Sequence, residues 1–164
     1  MLAGEQRSSR YQGTFDPTMS LRLFNIYGQG RDPRSRYSGV ISKIIERVCA
    51  RDEIVIYGDG CQTRDFVHVR DAVSALLIAL RYSRKSPPRS CAFNVCTGCV
   101  ISINRLPRNI SAALDSPVMI RHEAARPGDI RNSIGHPGLA ARELAFRAHT
   151  VLTEGLKQLA DCGR

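Results

Sequence analysis

A chain of 164 residues is long enough for one domain, and folded alone it would bury on the order of 70% of its unfolded surface. Its hydrophobic fraction of 43% and charged fraction of 24% are ordinary for a globular protein; there is no run of 18 or more apolar residues to cross a membrane, and "MLAGEQRSSR" has no apolar leader core. The net charge of +9 invites a nucleic-acid partner, but all the basic residues except Lys43, Lys85 and Lys157 are arginines, scattered from Arg7 to Arg164 without a block, so that class is set aside.

Residues 2–11 have the character of a helix tail, ended by Gly13 and the turn-forming "FDPT". "SLRLFNIYG" is an apolar, β-forming run closed by Gly28, as expected of a buried strand in a parallel sheet, and residues 29–39 form a loop. Val40, Ile41, Ile44, Ile45 and Val48 fall on one face of a helix over 40–50. "EIVIYGDG" is a short strand entering a tight turn. In "RDFVHVRDAVSALLIAL" the period changes from two to 3.6: Phe66, Val67 and Val69 read as strand, and Asp71 as the N-cap of the following helix.

After a loop at "YSRKSPPRS", "CAFNVCTG" reads as another buried strand. Residues 102–114 have helical spacing, with Pro107 expected to break or kink the helix unless it starts there. "PVMIRH" at 117–122 is a candidate last strand, and 151–160 a terminal helix. Strands alternating with helices predict an α/β fold with parallel strands, built on about four confident strands.

Chemistry concentrates in two turns. In "YGDGCQTRDFVHVRD" Arg64 stands at a strand entrance after a Gly-Asp-Gly turn; its guanidinium fork can hold a phosphate or carboxylate, or simply pair with Asp65 or Asp71 at the surface. "RPGDIRNS" repeats the theme with Arg126, Asp129 and Arg131, so that two Arg-Asp turns can clamp a diphosphate and leave an Asp for a ribose hydroxyl. Cys96 and Cys99 form a C-x-x-C, either half a metal or redox site or two small buried thiols; with no second such pair and no His pair at ligand spacing, thiols in a reducing compartment fit better.

"LRLFNIYGQGRDPRSRYSGVIS", "IVIYGDGCQTRDFVHVRDAVSALL", "AFNVCTG" and "RPGDIRNS" stand in the order and spacing of the C-terminal half of the nucleotide-sugar epimerases and dehydratases of the extended short-chain dehydrogenase/reductase family. The chain resembles the UDP-glucose 4-epimerase-like members most, over roughly residues 2–156. The resemblance implies the C-terminal part of a Rossmann-like doubly wound sheet plus the small substrate-binding domain, incomplete at its N-terminus. Residues 1–28 and 64–100 would belong to the Rossmann-type part, and 29–63 and 101–164 mainly to the substrate-binding part. It further implies that Asn25 bonds the nucleotide-sugar between sugar and diphosphate, with Phe24 near the nicotinamide end. Val40, Ile56 and Tyr57 would surround the uracil, Arg64 and Arg126 would hold the diphosphate, and Asp129 the uridine ribose. Phe24, Val40 and Ile56 would equally be core in any fold, and Asn25 a backbone brace.

Full-length members oxidise the sugar C4 hydroxyl with NAD, rotate the 4-keto sugar and return the hydride. They need a glycine fingerprint for the dinucleotide and a Tyr-x-x-x-Lys pair for proton transfer. Neither occurs here: "LAGEQ", which usually follows that lysine, is residues 2–6, with Met1 in the lysine's place. The expectation is a UDP-sugar-binding, cytoplasmic chain with no catalytic or metal residues of its own and no NAD bound by it alone. Its partners would be a UDP-sugar and either a missing N-terminal half or a second copy. A non-catalytic nucleotide-sugar module and one half of a split epimerase remain the alternatives.

Overall fold

A computed structural model describes residues 19–29, 39–85 and 91–162. The expected helix tail at 2–11, most of the 29–39 loop and part of the "YSRKSPPRS" loop lie outside them. "MSLRLFNIY" forms two strands, β1 (Met19–Leu23) and β2 (Asn25–Tyr27), that diverge at Phe24 to different partners. β1 runs parallel to β6 (Cys91–Val95), Met19 opposite Cys91 and Leu23 opposite Val95, while β2 runs parallel to β5 (Phe66–His68). The run is less buried than expected, Leu23 being 39% exposed.

Helix α1 (Val40–Ala50) covers the predicted span and buries Ile41, Ile44 and Val48. It stops at Arg51, whose left-handed backbone (φ 57°) lets the amides of Arg51 and Asp52 reach back to the carbonyls of Val48 and Arg47. β3 (Ile54–Tyr57) pairs in parallel with β8 (Ile120–Glu123), placing the predicted last strand three residues later than its apolar pattern suggests. A third small sheet has β4 (Thr63–Arg64) at its centre, antiparallel to β7 (Ile101–Ser102) and parallel to β9 (Asn132–Ser133).

Helix α2 (Val69–Lys85) follows β5 with no intervening turn, so Val69 opens the helix rather than closing the strand. Asp71 is therefore inside the first turn and not an N-cap. Its buried carboxylate accepts instead from the amides of His149 (3.2 Å) and Thr150 (3.0 Å), fixing the approach to helix α5 (Leu152–Cys162). Helix α3 (Arg105–Leu114) runs unbroken through Pro107, because a third helical residue has no intrahelical acceptor for the N–H that proline lacks. The six-residue α4 (Gly138–Glu143), too short to show a period, escapes sequence analysis; Ala140 anchors it.

Two apolar clusters result. One gathers Val67, Ala72, Ala75, Phe93, Val95, Ala140, Leu144 and Phe146 around the β1–β6 layer. The other joins Tyr27, Phe66, α1, β3, α3 and Leu156 of α5. β2 and β5 contribute to both, which ties the helices of the second cluster to the parallel layer of the first.

Candidate functional site

The strand β3 alternates: Ile54 and Ile56 turn into the core at 4% and 2% exposure, and Tyr57 is carried towards the turn that follows. Gly58 and Gly60 take left-handed backbone at φ 75° and 68°, which sends the chain back on itself and leaves Asp59 at the tip. The Asp59 carboxylate accepts both arms of the Arg131 guanidinium, at 2.6 and 2.9 Å, and the Cys61 amide at 2.9 Å. Those bonds, that of Arg131 first, hold its carboxyl down at about 2 and raise the Arg131 guanidinium in return.

The fork ties the glycine turn to the loop carrying "RPGD", and the backbone seals the junction: Thr63 N–H donates to Arg131 O at 2.8 Å and Thr63 Oγ1 to Asn132 Oδ1 at 3.0 Å. Between the two segments opens a cleft of about 340 Å³ lined by Tyr57, Gln62, Arg126, Asp129 and their neighbours. Arg126 places its guanidinium carbon 3.5 Å from the centre of the Tyr57 ring. Asp129 accepts from Arg64 Nη2 at 3.0 Å and from Gln62 Nε2 at 3.4 Å. Gln62 also donates to Tyr57 O, and Arg64 Nη1 to the carbonyls of Ile130 and Thr63.

Arg64, the last residue of β4, and Asp65, which links β4 to β5, thus serve different partners. Arg64 faces the cleft's acid. Asp65 is fully buried and accepts from Thr97 Oγ1 (2.7 Å), Thr97 N–H (3.0 Å) and Gly98 N–H (2.9 Å), pinning the turn after β6. Neither pairs with the other, and Arg64 does not reach Asp71; its salt bridge is to Asp129.

Asn25 and Val40 line a second, smaller recess of about 140 Å³ with Gly39, Ser42, Tyr27 and Phe66. Asn25 Nδ2 donates to the Asp65 carbonyl at 2.8 Å, so the side chain braces β2 against β5. Nearby the Tyr27 hydroxyl is buried without a hydrogen-bond partner; burial, then the charges of Asp71 and Glu154, push its ionisation upward. Its ring meets His68 edge-on at 5.2 Å, and burial pushes that imidazole's pKa down. Phe24 packs against the β1–β6 cluster and Ile56 lies in the core, so neither side chain lines these two openings.

Of the expected residues the structure brings Tyr57, Arg64, Arg126 and Asp129 together. Gln62, Asp59 and Arg131 complete the cleft; Arg131 belongs to the second Arg-Asp turn read from sequence, whereas Gln62 and Asp59 carry no sequence-based role. Their signal was the pairing of an acidic glycine turn with a second basic turn, which only becomes specific once the turns meet. The C-x-x-C does not behave as a pair of buried thiols: Cys96 is buried, its thiol pushed up to about 11 by burial and then Asp65, while Cys99 is exposed. Among the described residues no cluster of His, Cys, Asp and Glu could hold a metal ion, and no helix is long and apolar enough to cross a membrane.

The chain matches the family model described as NAD dependent epimerase/dehydratase family over residues 2–96, and it belongs to that family. It is 30% identical over 163 residues to the UDP-glucose 4-epimerase of Mycolicibacterium smegmatis, a match covering 98% of this chain and 50% of that one. To the Putative UDP-glucose 4-epimerase of Methanocaldococcus jannaschii it is 31% identical, over 86% of this chain and 44% of the relative.

Among solved structures, the UDP-glucose-4-epimerase of Stenotrophomonas maltophila with bound NAD and formylated UDP-arabinopyranose superposes with a TM-score of 0.88 at 28% identity, covering 98% of this chain and 52% of that one. The Thermotoga maritima UDP-glucose 4-epimerase with UDP-glucose gives 0.83 at 29%, covering 97% and 49%. The chain therefore spans about half the length of the relatives it matches.

NAD, which structures of the family contain, needs a glycine-rich turn whose backbone amides open a helix around the pyrophosphate. Here β5 passes directly from His68 to Val69 of α2, and α3 opens at Asn104 after β7. Neither of these two junctions offers such a turn.

Proposed function

We propose that the cleft between the Gly58–Gly60 turn and the "RPGD" loop binds the nucleoside diphosphate portion of a nucleotide-sugar, UDP-sugars being the first class to test. In this reading Arg126 leaves the Tyr57 ring to hold a phosphate, Arg64 supplies the second cation, and Asp129, oriented by Arg64 and Gln62, accepts from the ribose hydroxyls. Tyr57 offers the uracil an aromatic wall, with Val40 and the backbone at Ile56 closing the base region and Asn25 and Phe24 on the sugar side. Residues 1–28 and 64–100 then form a Rossmann-type part and 29–63 and 101–164 mainly the substrate-binding part. The two apolar clusters follow that division in part: Tyr27 and Phe66 pack into the second cluster, and 138–146 packs back onto the first.

The single observation that carries the proposal is the convergence of Tyr57, Arg126 and Asp129 on one cleft, with Arg64 bonded to that same Asp129. Its chemistry is that of anion and diol recognition: guanidinium forks for phosphate and an ionised acceptor for hydroxyls. Bound NAD and a proton-transferring Tyr-Lys pair would come from elsewhere, so the chain by itself binds without epimerising.

Titration calorimetry of the 164-residue chain with UDP-glucose, UDP and glucose 1-phosphate tests this. Heat is expected with UDP and UDP-glucose, and its loss in an Arg64→Ala variant that keeps the wild-type circular dichroism spectrum. No heat with any uridine nucleotide refutes the proposal.

A further inference from the structure

Gln62 stands between two groups that the nucleotide reading assigns to different parts of the ligand. The residue is buried, 8% exposed, and its Nε2 donates to the Tyr57 carbonyl at 2.9 Å and to Asp129 Oδ2 at 3.4 Å. Both partners can only accept, so the amide nitrogen and not its oxygen has to face them. The backbone leaves it little freedom: the Ile103 amide donates to Gln62 O at 3.0 Å, and Thr63, next in the chain, donates to Arg131 O. A single amide group thus fixes the spacing between the strand that carries the Tyr57 ring and the acid that shares its cleft.

The other oxygen of that acid is held as well. Arg64 Nη2 donates to Asp129 Oδ1 at 3.0 Å, and Arg64 is itself anchored through Nη1 on the carbonyls of Thr63 (2.8 Å) and Ile130 (2.6 Å). An ionised carboxylate offers about four lone-pair sites, two on each oxygen. One donor on Oδ1 and one on Oδ2 leave one site free on each, in a group that cannot turn without breaking one of its two bonds. The Asp129 side chain stays 40% exposed, so the free sites are open to a ligand. Two acceptor sites side by side match the two neighbouring hydroxyls of a ribose, and a 2′-deoxyribose offers only one of them.

We infer that Gln62 is a positioning residue which, together with Arg64, makes Asp129 a selector for ribonucleoside diphosphates over their 2′-deoxy counterparts. The inference rests on the nucleotide reading of the cleft and narrows it. Phosphates and base meet the same groups in either nucleotide, so the choice falls on this carboxylate. Where the 2′-hydroxyl is missing, an ionised acceptor loses a donor that the site is built to receive, and the deoxynucleotide binds more weakly. The Gln62 bond, the longer of the two, orients more than it holds. Without it the carboxylate pivots on its Arg64 bond, and its free sites no longer meet both hydroxyls at once.

Titration calorimetry of the full chain with UDP and with 2′-deoxy-UDP reads the selection as a ratio of dissociation constants. A preference for UDP of about tenfold or more is expected, falling to about threefold or less in Gln62→Met, which nearly keeps the volume and removes the donor. Arg126→Ala, assigned to the phosphates, should weaken both nucleotides and leave the ratio standing; a merely structural role for Gln62 would do the same in its own variant. Should Gln62→Met lose the wild-type circular dichroism spectrum, nitrogen-detected NMR of the unaltered chain decides: the Gln62 side-chain amide resonance must shift on adding UDP and shift less with 2′-deoxy-UDP. Equal binding of the two nucleotides by the unaltered chain, or an unchanged ratio in Gln62→Met, overturns the inference and leaves UDP binding in place. Binding of neither nucleotide overturns both.

Discussion

The guanidinium of Arg126 stacks on the ring of Tyr57 with its carbon 3.5 Å from the ring centre, across a cleft whose floor carries Asp129. Stacking of this kind stabilises by roughly 0.5–1 kcal/mol at exposed sites, less than a charge-assisted bond to phosphate, so an arriving diphosphate can draw Arg126 off the ring. Arg126→Ala should weaken UDP binding by about tenfold or more, whereas Tyr57→Leu, which frees the arginine but leaves its charge, should weaken it less. Calorimetric dissociation constants for the two variants check the order.

Asp65 is the strongest single structural commitment near the site. Three donors converge on its buried carboxylate, and deleting it leaves the amides of Thr97 and Gly98 without their acceptor at a half-buried turn. Asp65→Ala should lower unfolding free energy by about 3 kcal/mol or more, and Thr97→Val by about 1–2 kcal/mol. Urea denaturation of both gives the comparison; equal small losses would mean the turn is held elsewhere.

The Asp59–Arg131 fork sets an acid limit. Because the folded carboxyl sits at about 2, below its ordinary value of 3.8, whatever stability it lends is present above about pH 4 and fades as the pH falls towards 2. Between pH 4 and 8 the fork stays closed. A carbon-detected NMR titration of Asp59 should show a midpoint near 2 that rises towards 4 in Arg131→Gln.

Gly60 combines a positive φ of 68° with the closeness of the Asn104 side chain, whose Nδ2 donates to Asp59 O at 2.7 Å. A methyl group there is strained twice, by the backbone and by the collision with Asn104. Gly60→Ala should cost about 1–3 kcal/mol and loosen the cleft. Gly128, equally left-handed but open to solvent, should bear alanine with the backbone penalty alone. Thermal denaturation of the two variants separates the effects.

Thiol chemistry should divide the cysteines. Cys49, Cys61 and Cys99 are exposed, and Cys96 is buried with its thiol pushed up to about 11. Since the thiolate is the reactive form, Cys96 should resist a disulfide reagent at pH 8 until the protein unfolds, while those three react within minutes. Mass mapping of the labelled native chain reads this directly.

The amino-acid sequence alone determined what depends on neighbours a few positions away. The helix over 40–50 follows from apolar spacing, the 54–57 strand and its glycine turn from alternation and the need for left-handed backbone, and the family from four motifs kept in order. Tertiary structure decided which partner each polar group took. Asp71 looked like a cap because it opens a helix, and instead holds the amides of His149 and Thr150. Arg64 had three acids to choose from and chose Asp129, 65 residues away. Ile56 and Tyr57 are adjacent β-forming residues, yet the strand's alternation buries one and offers the other to the cleft. A side chain's charge and length are written locally, whereas its partner is fixed by the whole fold, since burial leaves a polar group only the donors and acceptors that packing brings within about 3 Å.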